Sequence, residues 1–209
     1  MKNILLCIFI IFGIFIFSGC NNKEKIIFTQ GSDPDTKILI AYFSRAGEQR
    51  GFQRKTKIGN TAIIANMIAG KTGADIFEIT PLEDNYPEKF EKLSEYAKKE
   101  KEENARPEIL NKPENLDKYD IIFIGSPIWH EDMPMILYTF IESYDFTDKT
   151  IIPFYTYGWN EYICLSDKIR NITQAKEVKE DFKIKGLTAQ LRTSIAQKKV
   201  DKWFDSLEF

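Results

Sequence analysis

Cysteine is scarce in this chain. Its 209 residues include three, Cys7, Cys20 and Cys164, and the first two lie in an N-terminal apolar segment. With Cys7 removed and Cys20 used where that segment is processed, Cys164 has no partner, so an internal disulfide is excluded and no cysteine-rich metal site can be assembled. Histidine is scarcer still, with His130 alone. Charge of one sign is also missing: 29 Lys and Arg stand against 31 Asp and Glu, a net charge of −2. Losing Lys2 with the leader moves this only to about −3, too little to bind nucleic acid through bulk electrostatics, so no nucleic-acid partner is expected. No internal repeat is visible. Ser44 lacks the G-x-S-x-G elbow that presents a hydrolase nucleophile, which ranks a serine hydrolase far down.

The one long apolar run, Ile4 to Phe17, follows the single positive residue Lys2 and breaks into Ser18-Gly19-Cys20. It is shorter than the ~20 residues that span a bilayer. It reads as an export signal, and small residues directly before a cysteine resemble a bacterial lipoprotein processing site. The expected organisation is a lipoprotein signal peptide over 1–19, a polar tether over 20–36 and one domain over 37–209. Cys20 becomes the lipidated first residue. The domain then sits in the cell envelope, outside the cytoplasm, held to the membrane through that lipid.

From Lys37 onward, short apolar runs alternate with longer amphipathic ones. The strands predicted are Ile38 to Phe43, Asp75 to Ile79, Ile121 to Gly125, Thr150 to Tyr155 and Val178 to Lys185. Between and after them the pattern predicts helices over Thr61 to Lys71, closed by Gly73; Pro87 to Glu103, with Phe90, Leu93, Tyr96 and Ala97 on one stripe; Pro134 to Ser143; Tyr162 to Asn171; and Thr193 to Leu207. Five strands with interleaved helices, the central strands nearly continuous in Ile and Phe, imply an α/β fold with a parallel sheet covered on both faces.

In such a sheet, ligands sit beyond the carboxyl ends of the strands. The unusual residues lie there. The first strand ends at Ser44 and the next helix begins at Gly59-Asn60-Thr61, with an insert, Arg45 to Ile58, between them. Backbone N–H groups at a helix start lack intrahelical partners and carry partial positive charge, so a hydroxyl-, amide- and glycine-rich turn there suits a phosphate. The third strand runs into Ser126-Pro-Ile-Trp-His-Glu-Asp-Met133, and the fourth into Thr156-Tyr-Gly-Trp-Asn160. Trp129, Tyr157 and Trp159 can flank a flat aromatic ligand, or Trp129 can pack inward beneath its loop. His130 reads either as an ordinary surface residue or as an acid/base group near neutral pH. Cys164 reads as a small buried hydrophobe. The insert brings Arg45, Arg50, Arg54, Lys55 and Lys57 against one acid, Glu48, and is either a passive solvated loop or a lid at the phosphate end.

Ser44 with Gly59-Asn60-Thr61 resembles the S/T-x-T-G-N-T phosphate loop of the flavodoxin family, split by the insert. Gly125-Ser126-Pro127-Ile128-Trp129 resembles the G-S-P-x-W strand end of the bacterial branch. The resemblance implies a flavodoxin-like three-layer sandwich, a five-stranded sheet in the order 2-1-3-4-5, and FMN at the switch point. It places the phosphate on Ser44, Arg45, Ala46, Gly59, Asn60 and Thr61. It places the ring between Ser126, Pro127, Ile128, Trp129 and His130 on one side and Thr156, Tyr157 and Gly158 on the other. No side chain need be catalytic and no metal is implied. The expected function is electron transfer or an FMN-dependent reduction of quinone or nitro compounds, with a redox protein or a small acceptor as partner. The alternative is a flavin-free cell-surface module that uses the same cleft for another phosphorylated or aromatic ligand.

Overall fold

Side chains of the first strand point alternately into two separate cores. β1 (Ile38–Tyr42) sends Leu39 and Ala41 to one apolar cluster and Ile40 and Tyr42 to the other, as the two-residue period of an extended chain requires when both faces are covered. The computed structural model describes residues 36–49, 55–113, 115–159 and 163–207. The signal segment, Cys20, most of the tether and the insert tip at 50–54 lie outside the described residues.

β1 is followed by α1 (Asn60–Thr72), β2 (Asp75–Glu78), α2 (Phe90–Glu102), β3 (Ile121–Pro127), α3 (Met135–Glu142), β4 (Thr150–Tyr157) and α4 (Leu165–Ile172). β5 (Glu177–Val178), β6 (Phe182–Lys185), α5 (Gly186–Leu191) and α6 (Thr193–Phe204) complete the described chain. The strands are parallel in the order β2-β1-β3-β4-β5, with β6 also on β4. This is the 2-1-3-4-5 sheet of a flavodoxin-like α/β fold. Leu93 and Tyr96 of α2, Ile136 and Phe140 of α3 and Leu165 and Ile169 of α4 cover one face. Ile64 and Ile68 of α1, Ala189 of α5 and Val200 and Phe204 of α6 cover the other. As the sequence pattern suggests, α1 ends at Gly73, whose left-handed φ of 66° lets its N–H reach the carbonyl of Ala69.

Two elements differ from the pattern-based reading. The single strand expected over Val178 to Lys185 is two pieces. Thr150 pairs with Glu177 but Phe154 pairs with Phe182, so one extra residue is inserted on the outer strand, a bulge that breaks the ladder. The break turns Asp181 inward, where its Oδ1 accepts the Ser166 N–H at 2.7 Å in the first turn of α4, a carboxylate cap on a helix start. Burial raises that carboxyl to about 6. The expected C-terminal helix is likewise preceded by α5, too short to show a period, and the two are separated at Arg192 (φ −133°, ψ 52°).

Gly125 lies where β1, β3 and β4 press together: a Cβ there would sit 2.3 Å from Phe154 Cζ and 2.7 Å from Tyr42 Cβ. Gly125→Ala is therefore expected to destabilise the fold by about 1–3 kcal/mol in urea unfolding. At Gly70 of α1, an added methyl meets nothing within 4 Å. Gly70→Ala is expected to stabilise by up to about 1 kcal/mol, because only the backbone entropy changes.

Candidate functional site

The carboxyl ends of β1, β3 and β4 meet at one cleft of about 630 Å³. Its first wall is the start of α1. Gly59 precedes the helix without a side-chain cap, and Ser44 supplies the missing acceptor: its Oγ takes the Ala62 N–H at 3.0 Å. The next N–H, that of Ile63, goes to the Gly59 carbonyl. Those of Asn60 and Thr61 have no acceptor among the described residues, as expected for the first helical N–H groups. A Cβ at Gly59 would lie 2.2 Å from Ser44 Oγ, and one at Gly186 would lie 2.1 Å from Asn60 Nδ2. Glycine at both positions lets the loops close around the helix start.

The insert is strapped down on both sides of its tip. Gly47 and Thr56 exchange backbone hydrogen bonds of 3.0 and 2.9 Å. The Glu48 carboxylate accepts the Phe90 N–H at 3.1 Å at the start of α2, and Lys55 pairs with Glu88. Arg45 Nη2 donates to the Tyr86 carbonyl at 2.6 Å. Gln49 donates to the Arg45 carbonyl and accepts from Asn60 Nδ2 at 3.1 Å. The described part of the insert is thus a clasp between the first loop and α2. Arg50 and Arg54 lie outside the described residues.

The second wall is the turn Trp129–Asp132. Trp129 and Asp132 exchange both cross-turn hydrogen bonds, and His130 (φ 47°) and Glu131 (φ 62°) both occupy the left-handed region. Two such residues without glycine cost roughly 1–3 kcal/mol each unless neighbours impose the conformation. Asp132, 8% exposed, does so from the base: its Oδ1 accepts from the Met133 N–H and the Tyr138 hydroxyl, and its Oδ2 lies 3.2 Å from Lys168 Nζ. The His130 ring nitrogen, 2.7 Å from the Ser94 carbonyl, ties the tip to α2. The indole of Trp129 meets Phe43 and Tyr86 edge-on at 5.5 and 5.4 Å while lining the cleft.

Opposite it, β4 ends in Thr156, Tyr157 and Gly158. The Thr156 and Thr61 hydroxyls, both buried, are 2.9 Å apart. Tyr157 is 8% exposed and Trp159 is 72% exposed at the mouth. Ser44, Arg45, Asn60, Thr61, Pro127, Ile128, Trp129, His130, Thr156, Tyr157 and Gly158 all line the cleft. Ala46, Gly59 and Ser126 do not; Ser126 is fully buried and donates to the Pro127 carbonyl. The strand-end reading missed Phe90, Leu93, Ser94 and Ala97 of α2, Lys185 at the end of β6, and Gly186 and Leu187 after it. The α2 stripe looked like ordinary core, whereas a glycine directly after a strand was a usable signal. Cys164 is half-buried, and burial raises its thiol above the ordinary value, away from nucleophilic use. Among the described residues no cluster suits a metal ion.

Two buried polar atoms on the lining are unmatched: Arg45 Nε has no acceptor and Asn60 Oδ1 no donor. A phosphorylated ligand bearing hydroxyls carries both complementary kinds, and meeting them takes a local shift of the two side chains, since neither atom is exposed to the cleft. The family described as Flavodoxin matches residues 37–207. A protein provisionally described as a flavoprotein from Bacteroides eggerthii is 27% identical, with a TM-score of 0.58 over 81% of this chain and 96% of that one. One of the same description from Bacteroides uniformis is 25% identical, with a TM-score of 0.60 over 82% and 99%. A Lactobacillus acidophilus flavoprotein in complex with FMN is 19% identical, with a TM-score of 0.54 over 81% and 99%. No curated protein matches.

The Thr61–Thr156 bond joins the first and third loops. Thr61→Val leaves the Thr156 hydroxyl buried and unpaired, with an expected cost of about 1–3 kcal/mol. The double change to Val at both positions is expected to recover much of that loss. Additive losses in the double-mutant cycle would show that the two hydroxyls do not interact.

Proposed function

The chain belongs to the flavodoxin family, and on that premise we propose that it binds FMN in the cleft at the strand ends and works as an FMN-dependent redox protein. The observation that carries this reading is one continuous cavity with unclaimed N–H groups of α1 at one end and aromatic walls at the other. The Asn60 and Thr61 N–H groups, the Ser44 hydroxyl and Arg45 hold the phosphate, with the helix start supplying partial positive charge. Trp129 and Tyr157 bound the ring chamber and exclude water from it, and Trp159 stands at its mouth. The flavin, when bound, supplies the one- and two-electron chemistry.

The chamber continues along α2 past Phe90, Leu93 and Ala97. That extension favours a small planar acceptor of the quinone or nitro-compound type, besides a protein electron partner. The same reading places the domain outside the cytoplasm in the cell envelope, tethered through a lipid on Cys20. Its support is the apolar run and the Ser18-Gly19-Cys20 sequence.

Fluorescence titration tests the cofactor. FMN is expected to bind at least about tenfold more tightly than riboflavin, which lacks the phosphate. Asn60→Asp, which adds a negative charge at the cradle, is expected to erase that preference and leave riboflavin binding unchanged. Equal affinity of the parent for the two flavins would remove the phosphate site.

The anchor is tested in cells. Cys20→Ala is expected to lose incorporation of labelled fatty acid and to leave the membrane fraction. Continued lipid labelling of that variant would place the attachment elsewhere.

A further inference from the structure

Behind Tyr86, on the side away from the cofactor cleft, a second cavity of about 500 Å³ opens between the 81–86 loop, α2 and residues 105–108. Its walls are the rings of Tyr86 and Tyr96, which meet at 79° with centroids 5.5 Å apart and form an aromatic corner. Glu100 lines it too. This side chain is 8% exposed and no cation pairs with it among the described residues. Its Oε2 receives only the Tyr86 hydroxyl, at 3.3 Å, and its Oε1 has no described partner.

The charge around Glu100 is one-sided. Glu83 lies on the loop before α2, Glu103 one turn further along it, and Glu108 on the opposite rim. Neither lining cation pairs with Glu100: Lys99 lies 3.8 Å from Glu103 on the same rim, and the Arg106 guanidinium is held by Glu142 and stacked over Tyr138. Burial first, and then Glu100, Glu83 and Glu103, raise the Tyr96 hydroxyl; burial, then Glu100 and Asp84, act on Tyr86 in the same sense. A buried carboxyl without a counter-ion is costly, and one facing an aromatic corner is the chemistry that receives an organic cation. A bare metal ion is less suited, because no group of three ligating side chains is present among the described residues.

We propose that this second cavity is a binding site for a small organic cation, an alkyl- or arylammonium whose charge pairs with Glu100 and whose apolar body lies against Tyr86 and Tyr96. The site is independent of the cofactor assignment. Tyr86 nevertheless links the two: its carbonyl holds Arg45 and its ring abuts Trp129, both on the cofactor cleft. Occupancy behind Tyr86 therefore bears on the position of both cleft residues.

The probe is benzyltrimethylammonium, with benzyl alcohol as the neutral comparator, followed by NMR shifts of the tyrosine rings in the purified protein. Saturable shifts at Tyr86 and Tyr96 are expected, with benzyl alcohol and the Glu100→Gln variant each binding about ten- to hundredfold more weakly. Burial pushes the Glu100 carboxyl up to about 7, so it ionises as pH rises through that value. Affinity for the cation is then expected to increase severalfold from pH 6 to pH 8 and not to change in Glu100→Gln. Tyr96→Leu, at a partly exposed position, is expected to weaken binding while keeping the fold, and with the pH series it decides the matter if Glu100→Gln fails to fold. Equal affinity for the alcohol, pH-independent binding, undiminished affinity in Tyr96→Leu or the absence of saturation would each overturn the proposal.

Discussion

A shortage of hydrogen-bond acceptors at the start of α1 organises the cleft. Every α-helix begins with N–H groups that its own turns cannot satisfy. Here the Ser44 hydroxyl takes one of them, that of Ala62, and those of Asn60 and Thr61 remain. The neighbouring loops approach closely without filling the space: Gly59 lies against Ser44, Gly186 against Asn60, and Thr61 is locked to Thr156. The polar groups are positioned during folding, so little ordering is left for the moment of binding, which is how a rigid cradle gains affinity.

The sheet was legible because its signal is dense. Runs such as Ile121 to Ile124 and Ile151 to Phe154 are apolar without interruption, and only a strand buried on both faces accounts for such runs in a chain of this length. The outer strand was less legible. The bulge that splits it depends on Asp181 reaching the Ser166 N–H of α4, a tertiary contact with no local pattern. At the site, the strand-end loops announced themselves through glycine, proline and tryptophan. Ser94 and Phe90 did not, because a helical stripe that lines a cavity has the same period as one that lines a core. The insert was read as a charged run, and its clasp was hidden because Glu48 and Glu88 are distant in sequence from the groups they meet.

Tyr86 explains how the clasp and the cleft are kept in register. Its carbonyl holds Arg45, its ring touches Phe43, Trp129 and Tyr96, and its hydroxyl reaches Glu100. One residue from the loop after β2 thus contacts the first loop, the second loop and α2. A hub of this kind makes these segments move together, since opening any one of them breaks contacts belonging to the others.

The direction of the strands has a geographical consequence. Lys37 enters β1 at the end where Asp120 precedes β3, and its N–H is held there by the Asp120 carboxylate at 2.9 Å. The cleft lies at the other end of the same parallel strands, across the eight residues of β4, a span of roughly 25 Å. The described chain thus enters the sheet at one pole, and the cleft opens at the other. Under the proposed lipid attachment at Cys20, the tether joins the domain at the pole opposite the mouth beside Trp159, so the anchor itself does not obstruct entry to the cleft.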